Sequence, residues 1–232
     1  MTVEPPAGRK EQTFTELGRL IFDNDAYVEE MGTLWLLHYQ LATNQENATA
    51  WYYFFNEFKP NEFTRDDFVT HITNYIRMNG EEVSKNSLED DYNCIINTYV
   101  SRIKSNPEKV QPESNIDCPL GELGLIDIAN KKEKIYRKSY PPKDTLHPLI
   151  LLAVIVDQAN GDEIKISALQ NDACNAGKVF NLDIISLTNL LYKIELMGYI
   201  KVIRTAGLDI VKLQRAITFE ECVGEYYRVI NN

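Results

Sequence analysis

Between positions 146 and 213 the order of apolar stretches, caps and turns leaves few folds to choose from. Residues 146–158 carry the apolar pattern of a buried helix, and 163–166 that of a short strand. Two helices follow, at 167–175 and 183–197. Ile184, Leu187, Leu191 and Ile194 recur at steps of three and four along the second, and Gly198 closes it as a C-cap. Strands at 199–205 and 208–213 then fold back on each other about Ala206-Gly207. Helix, strand, helix, helix, hairpin is the order of a winged helix-turn-helix, with a last helix at 219–230 expected to pack back on it.

Upstream the pattern is helical. Met31, Leu34, Trp35, Leu37, His38, Leu41 and Ala42 follow helix spacing. Residues 48–58, containing WYYFF, read as a helix apolar on nearly every side, hence buried. Phe68, Ile72, Tyr75 and Ile76 mark a helix from 64 that stops at Gly80, and 88–103 reads as another. A polar, Pro-containing loop at 105–117 leads to CPLGELGL, a short helix, and then to an alternating hairpin turning near Asn130 and Lys131. Four capping-box spacings precede helical stretches: Thr13–Glu16, Thr64–Asp67, Ser167–Gln170 and Thr218–Glu221. The Asp version is expected to be weakest because its side chain is short. The expected class is mainly α with small β hairpins. A flexible stretch 1–12 precedes a helical domain at 13–139 that ends in a basic hairpin. A Pro-Pro linker at 140–145 follows, and then a winged helix-turn-helix domain at 146–232.

The longest apolar run, 149–156, is eight residues, far short of the roughly 20 that cross a bilayer. No secretory h-region opens the chain. Cys94, Cys118, Cys174 and Cys222 form no CxxC, and the three histidines are scattered, so no zinc spacing exists. The cysteines are expected to be reduced and mostly buried, in a cytoplasmic protein with no membrane partner.

Net charge is −10, which argues against a surface that grips nucleic acid all over. It is unevenly spread. Residues 1–63 hold ten acids and four bases, whereas 131–143 hold Lys131, Lys132, Lys134, Arg137, Lys138 and Lys143 against Glu133 alone. Alternation along a strand would put Lys132, Lys134 and Lys138 on one strip, either a phosphate-contacting finger or a solvated edge. In the winged helix, Ser186, Asn189 and Lys193 share the expected outward face of the second helix. The wing adds Lys201, Arg204, Lys212 and Arg215 against Asp209. These residues could reach double-stranded DNA, with Asn suited to adenine and Lys to guanine or phosphate. The same face could equally be an ordinary solvated one.

Nine of the 24 aromatics lie within 27–58 with no interleaved cation before Lys59, which favours core packing over base stacking. Catalytic patterns are poor. Asp157 with Glu163-x-Lys165 matches only part of a metal nuclease motif, from a helix end and a small strand. Ser101-x-x-Lys104 lacks a completing partner, and no phosphate-binding glycine loop occurs. His38 reads as a core histidine. No catalytic residue, metal ligand or cofactor is expected.

The stretches TFTELGRLIF (13–22), YVEEMGTLWLLHYQLA (27–42), TAWYYFFNEF (49–58) and CPLGELGLI (118–126), in this order, resemble the bacterial family catalogued as domain of unknown function 4007. The resemblance runs from about residue 13 to about 215. It implies a role beside DNA phosphorothioation genes, which include a sulfurtransferase resembling PAPS reductase, in DNA modification or defence. It implies no catalytic residue. Family members usually carry a further helix-turn-helix ahead of the ELG stretch, so the chain resembles a shortened member. The expected function is that of a non-enzymatic accessory protein with weak DNA contact and a docked catalytic partner such as the sulfurtransferase. A protein-only scaffold and a winged-helix transcriptional regulator are the alternatives. The oligomeric state is left open.

Overall fold

The computed structural model describes residues 3–4, 13–100, 118–205 and 208–231. In chain order, β1 (Val3–Glu4) pairs with β2 (Thr13–Phe14), followed by α1 (Glu16–Asn24) and α2 (Met31–Thr43). Next come α3 (Thr49–Asn56), β3 (Glu62–Phe63), α4 (Arg65–Met78) and α5 (Lys85–Tyr99). A 3-10 helix at Pro119–Leu123 precedes β4 (Ile126–Asn130) and β5 (Ile135–Lys138). The remainder is α6 (Pro148–Gln158), β6 (Glu163–Lys165), α7 (Ile166–Asn171), α8 (Ala176–Val179), α9 (Ile184–Leu196), β7 (Ile200–Thr205), β8 (Leu208–Leu213) and α10 (Phe219–Ile230). The fold is mainly α with small antiparallel sheets. The polar loop expected at 105–117, the Ser101–Lys104 pair and the turn at Ala206-Gly207 lie outside the described residues.

The chain forms two compact units, Met1–Tyr39 with Lys143–Asn232, and Gln40–Pro142. One crossing falls at Pro142, within the Pro-Pro stretch. The other lies inside α2, so α1 belongs with the C-terminal segment rather than with a helical domain at 13–139.

In the first unit, α6 is buried on every side along Leu149–Ile155 and packs against α9 and α10. Trp35 of α2 sets its ring edge-on to Phe180 at 5.2 Å, and its indole N–H donates to the Thr145 carbonyl at 3.0 Å. Beside it, β6 pairs with β8 and β8 with β7, in the order β6-β8-β7. Two tyrosines of α10 hold the start of α2. Tyr226 Oη accepts from the Gly32 amide at 3.0 Å, and the Tyr227 and Thr33 hydroxyls lie 2.6 Å apart. Asp25 accepts from the Glu29 and Glu30 amides. Burial pushes its carboxyl up, but those bonds, with Thr33, outweigh it and hold the group below its ordinary value.

The second unit is an aromatic core. Phe54, Phe58, Phe63 and Phe68 meet at centroid distances of 5.3 to 6.0 Å, several edge to face. The expectation of core packing for 27–58 therefore holds for Trp35, Tyr39, Tyr53, Phe54, Phe55 and Phe58, all buried. It fails for Tyr27, which is 87% exposed, while Trp51 and Tyr52 are half-buried. A three-stranded sheet, β3-β5-β4, covers this core, so β5 is a central strand and not the edge of a hairpin.

The caps correct the expectations in both directions. Thr64–Asp67 makes a complete capping box despite its short acid, as does Thr218–Glu221. Asp67 succeeds because its carboxylate reaches the Thr64 amide at 2.9 Å. The Thr13–Glu16 box does not form. Thr13 lies in β2, and Thr15 caps α1 by accepting from the Gly18 amide. Ser167–Gln170 fails too, because α7 starts one residue earlier and Gln170 instead donates to the Leu182 carbonyl at 2.7 Å. The expected helix at 167–175 is split into α7 and the four-residue α8. Of the four free cysteines only Cys222 is buried and Cys94 is exposed, so the expectation of mostly buried thiols is corrected.

Candidate functional site

Helix α9 is the element the sequence marked for recognition. Asp183 starts it, accepting from the Ser186 amide at 2.7 Å and the Ser186 hydroxyl at 3.2 Å. A close crossing of α7 and α8 sets it in place. A Cβ on Gly177 would come within 2.2 Å of the Gln170 carbonyl oxygen, so only glycine allows that approach. Leu187, Leu190, Leu191 and Ile194 are buried on one face.

The opposite face is not the polar surface expected of a DNA reader. Ile185 is 70% exposed, Tyr192 59% and Leu196 69%; Ile184 and Met197 are exposed too, but on the two flanks of the helix, about 110° from this stripe. Of the three expected outward residues, only Asn189 stands freely in solvent on this stripe. Ser186 is half-buried in the cap with Asp183. Lys193 is exposed but paired with Asp144 at 2.9 Å.

Three of the four cations on and after β7 and β8 are likewise committed locally. Lys201 pairs with Glu195 at 3.1 Å, and Lys212 with Asp162 at 3.2 Å. The Val202 amide, then Lys201, holds the Glu195 carboxyl below its ordinary value. Arg215 lies over the Tyr199 ring at 4.0 Å. Arg204 is exposed, faces Asp209 in the strand register, and has no ion pair to a described residue. Such exposed pairs are worth at most about 1 kcal/mol, so phosphate could displace them. Their carboxylates nonetheless cancel most of the local field.

The basic hairpin does not form the expected strip. Lys131, Lys132 and Lys134 are exposed in the turn, where Asn130 Oδ1 accepts from the Lys132 amide at 3.0 Å and Lys134 has φ +53°. Arg137 pairs with Asp127 at 2.7 Å. Lys138 is turned away from the turn lysines. Its ammonium donates to the Phe54 and Phe58 carbonyls at 2.7 and 2.6 Å, and lies 4.9 and 5.7 Å from the centroids of those two rings. It closes the C-terminal end of α3, where free carbonyls favour a cation. No pattern signal announced this, because the strand that makes β5 central is only two residues long.

The Asp157 carboxylate accepts from the Tyr39 hydroxyl and from Gln158, while Glu163 is registered opposite Lys212. His38 is wholly buried, with Nε2 2.7 Å from the Val179 carbonyl, and burial pulls its pKa down to about 4. Among the described residues no group of three or more His, Cys, Asp or Glu could hold a metal ion, and no helix is long and apolar enough to cross a membrane.

Residues 2–227 match the family described as "Protein of unknown function (DUF4007)". The chain belongs to this family. DUF4007 is thus the identity that the ELG, LWLLHYQLA and WYYFF stretches resembled. Two solved structures share the fold. One is a magnesium ion-bound crystal structure of SspB, with TM-score 0.77 and 19% identity over 99% of this chain and 78% of that one. The other, also a crystal structure of SspB, has TM-score 0.75 and 20% identity over 99% of this chain and 68% of that one. No curated protein matches this DUF4007 chain.

Proposed function

We propose that this chain is a non-enzymatic winged-helix accessory protein of a DNA modification or defence system, and that it works mainly by docking protein. Elements α6 to β8 are read as the winged helix-turn-helix, with α9 as its second helix and β7–β8 as the wing. The observation that carries the docking role is the outward face of α9. Large apolar side chains stand in solvent where a DNA reader presents polar groups to base edges. The family's association with phosphorothioation genes supports the choice of system, and a sulfurtransferase or another DNA-modification enzyme is the catalytic partner.

Weak contact with double-stranded DNA accompanies docking in this reading, through the exposed cations Lys131, Lys132, Lys134 and Arg204; sequence-specific reading of DNA by α9, through the exposed Asn189, is the second reading. Fluorescence anisotropy on duplex DNA at about 50 mM and about 150 mM salt separates the two. The docking reading expects weak binding without sequence preference that fades at the higher salt. Such binding should weaken in a K131E/K132E/K134E variant and be indifferent to Asn189→Ala. Sequence-specific binding that Asn189→Ala abolishes would make α9 a DNA reader, as a transcriptional regulator requires, and overturn the docking role.

A further inference from the structure

The unit Gln40–Pro142 holds a cavity of about 460 Å³ between the start of α4, α5 and the β4–β5 turn, within the size range of small-ligand sites. Tyr92 of α5 lines it and is only 5% exposed. Its hydroxyl is buried with no hydrogen-bond partner among the described residues. Burial, then the neighbouring Tyr136, pushes that hydroxyl's pKa up, while Arg65 pulls it down. Both neighbours also line the cavity, so the hydroxyl lies on the cavity side of its ring. A buried donor left unpaired costs stability, and a polar occupant of the cavity would relieve it.

The rest of the lining says what kind of occupant fits. Arg65 and Lys134 are matched in number by Asp66 and Glu133, so the cavity selects neither a free anion nor a free cation. Asn93 and Asn97 stand exposed one turn apart on α5, about 6 Å along its axis, and present amide donors and acceptors together. Tyr136 supplies an aromatic wall, half-buried with its ring 6.4 Å from those of Phe63 and Tyr92. A neutral planar group with mixed donors and acceptors suits this lining, and a nucleobase is such a group. Just outside, Lys131 and Lys132 are exposed on the same turn as Lys134, placed for the phosphates that flank the base. A paired base cannot enter, because its hydrogen-bonding edge is occupied and it is held in the stack.

We propose that this cavity takes one unpaired nucleobase of a DNA strand whose phosphates lie on the turn lysines. Tyr92 and Asn93 hydrogen-bond the base, and Tyr136 meets its face. The inference rests on the weak DNA contact of those lysines and supplies its ligand.

Fluorescence anisotropy on the full chain at about 50 mM salt tests it with three oligonucleotides. They are a paired duplex, the same duplex with one bulged adenine, and the same bulge with an abasic site, which keeps the extra backbone but lacks the base. The adenine bulge should bind about tenfold tighter than the other two. Tyr92→Phe removes only the unpaired hydroxyl. It should leave the thermal midpoint unchanged or higher, and cut the adenine advantage at least about twofold. Asn93→Ala, at an exposed position, should cut that advantage similarly without touching the core. Equal binding of the adenine and abasic bulges, or an adenine advantage that survives both variants, would overturn the cavity as a base site. So would a lower midpoint in Tyr92→Phe, because the hydroxyl would then already have a partner. Duplex binding with no adenine advantage would sink this inference alone, whereas no binding to any of the three would sink the DNA contact with it.

Discussion

Single residues set the tightest constraints in the first unit. A Cβ on Gly32 would fall 2.2 Å from the Tyr226 ring, the same tyrosine that accepts the Gly32 amide. Gly32→Ala must therefore move a buried aromatic and stretch a buried hydrogen bond. It should cost on the order of 1–3 kcal/mol, seen as a lower midpoint in denaturant unfolding. An unchanged midpoint would mean that Tyr226 can swing aside. His38 obeys a different constraint. Its folded pKa of about 4 lies below its ordinary 6.5, so between those values the unfolded chain binds a proton that the folded chain refuses. Stability is then complete above pH 6.5 and is lost as pH falls toward 4, by on the order of 3 kcal/mol from this group. NMR titration of the ring should find His38 neutral at pH 5 while denaturant midpoints decline, with His147, also held low by burial, adding in the same direction. Asp25 acts only in more acid solution, because its carboxyl is held below its ordinary value.

Elements were legible where a local rule decides them. The boxes at Thr64 and Thr218 formed as spaced, since each needs only three neighbouring residues and a helix to start. Ser167 did not cap because β6 runs on to Lys165 and α7 begins at Ile166, leaving Ser167 already helical. A clean contrast follows. Thr218→Ala should destabilise by about 1 kcal/mol and Ser167→Ala by a few tenths at most, compared by thermal melting. Equal losses would show that Ser167 has a capping role after all. Lys138 shows the limit of strand alternation. Its place on β5 was readable, but β3 on one side and the end of α3 below it decided where the ammonium went.

At the scale of the molecule, net charge said little and its distribution said more. The turn lysines remain exposed and are the cations on which weak DNA contact would depend. Two of the four cations on and after β7 and β8, Lys201 and Lys212, by contrast, lie beside carboxylates brought from elsewhere in the same unit. The division into units was only half visible. Tyr140-Pro141-Pro142 marked one crossing, since prolines enforce extension. Nothing local marks the other, inside α2, because a helix continues through it and only its side-chain partners change.

The sequence by itself determined the succession of helices and strands from 148 to 213 apart from the break between α7 and α8, the burial of the aromatics at 53–58, and membership of the family. Periodicity, capping and turn chemistry act over a few residues and need no distant partner. The tertiary structure alone decided which charges are spent, where Lys138 points, and that the outer face of α9 is apolar. In an amphipathic helix, apolar spacing shows that a side chain can be buried. Whether a neighbour is there to bury it depends on how distant segments pack, and for Ile185, Tyr192 and Leu196 the described residues leave most of the side chain exposed.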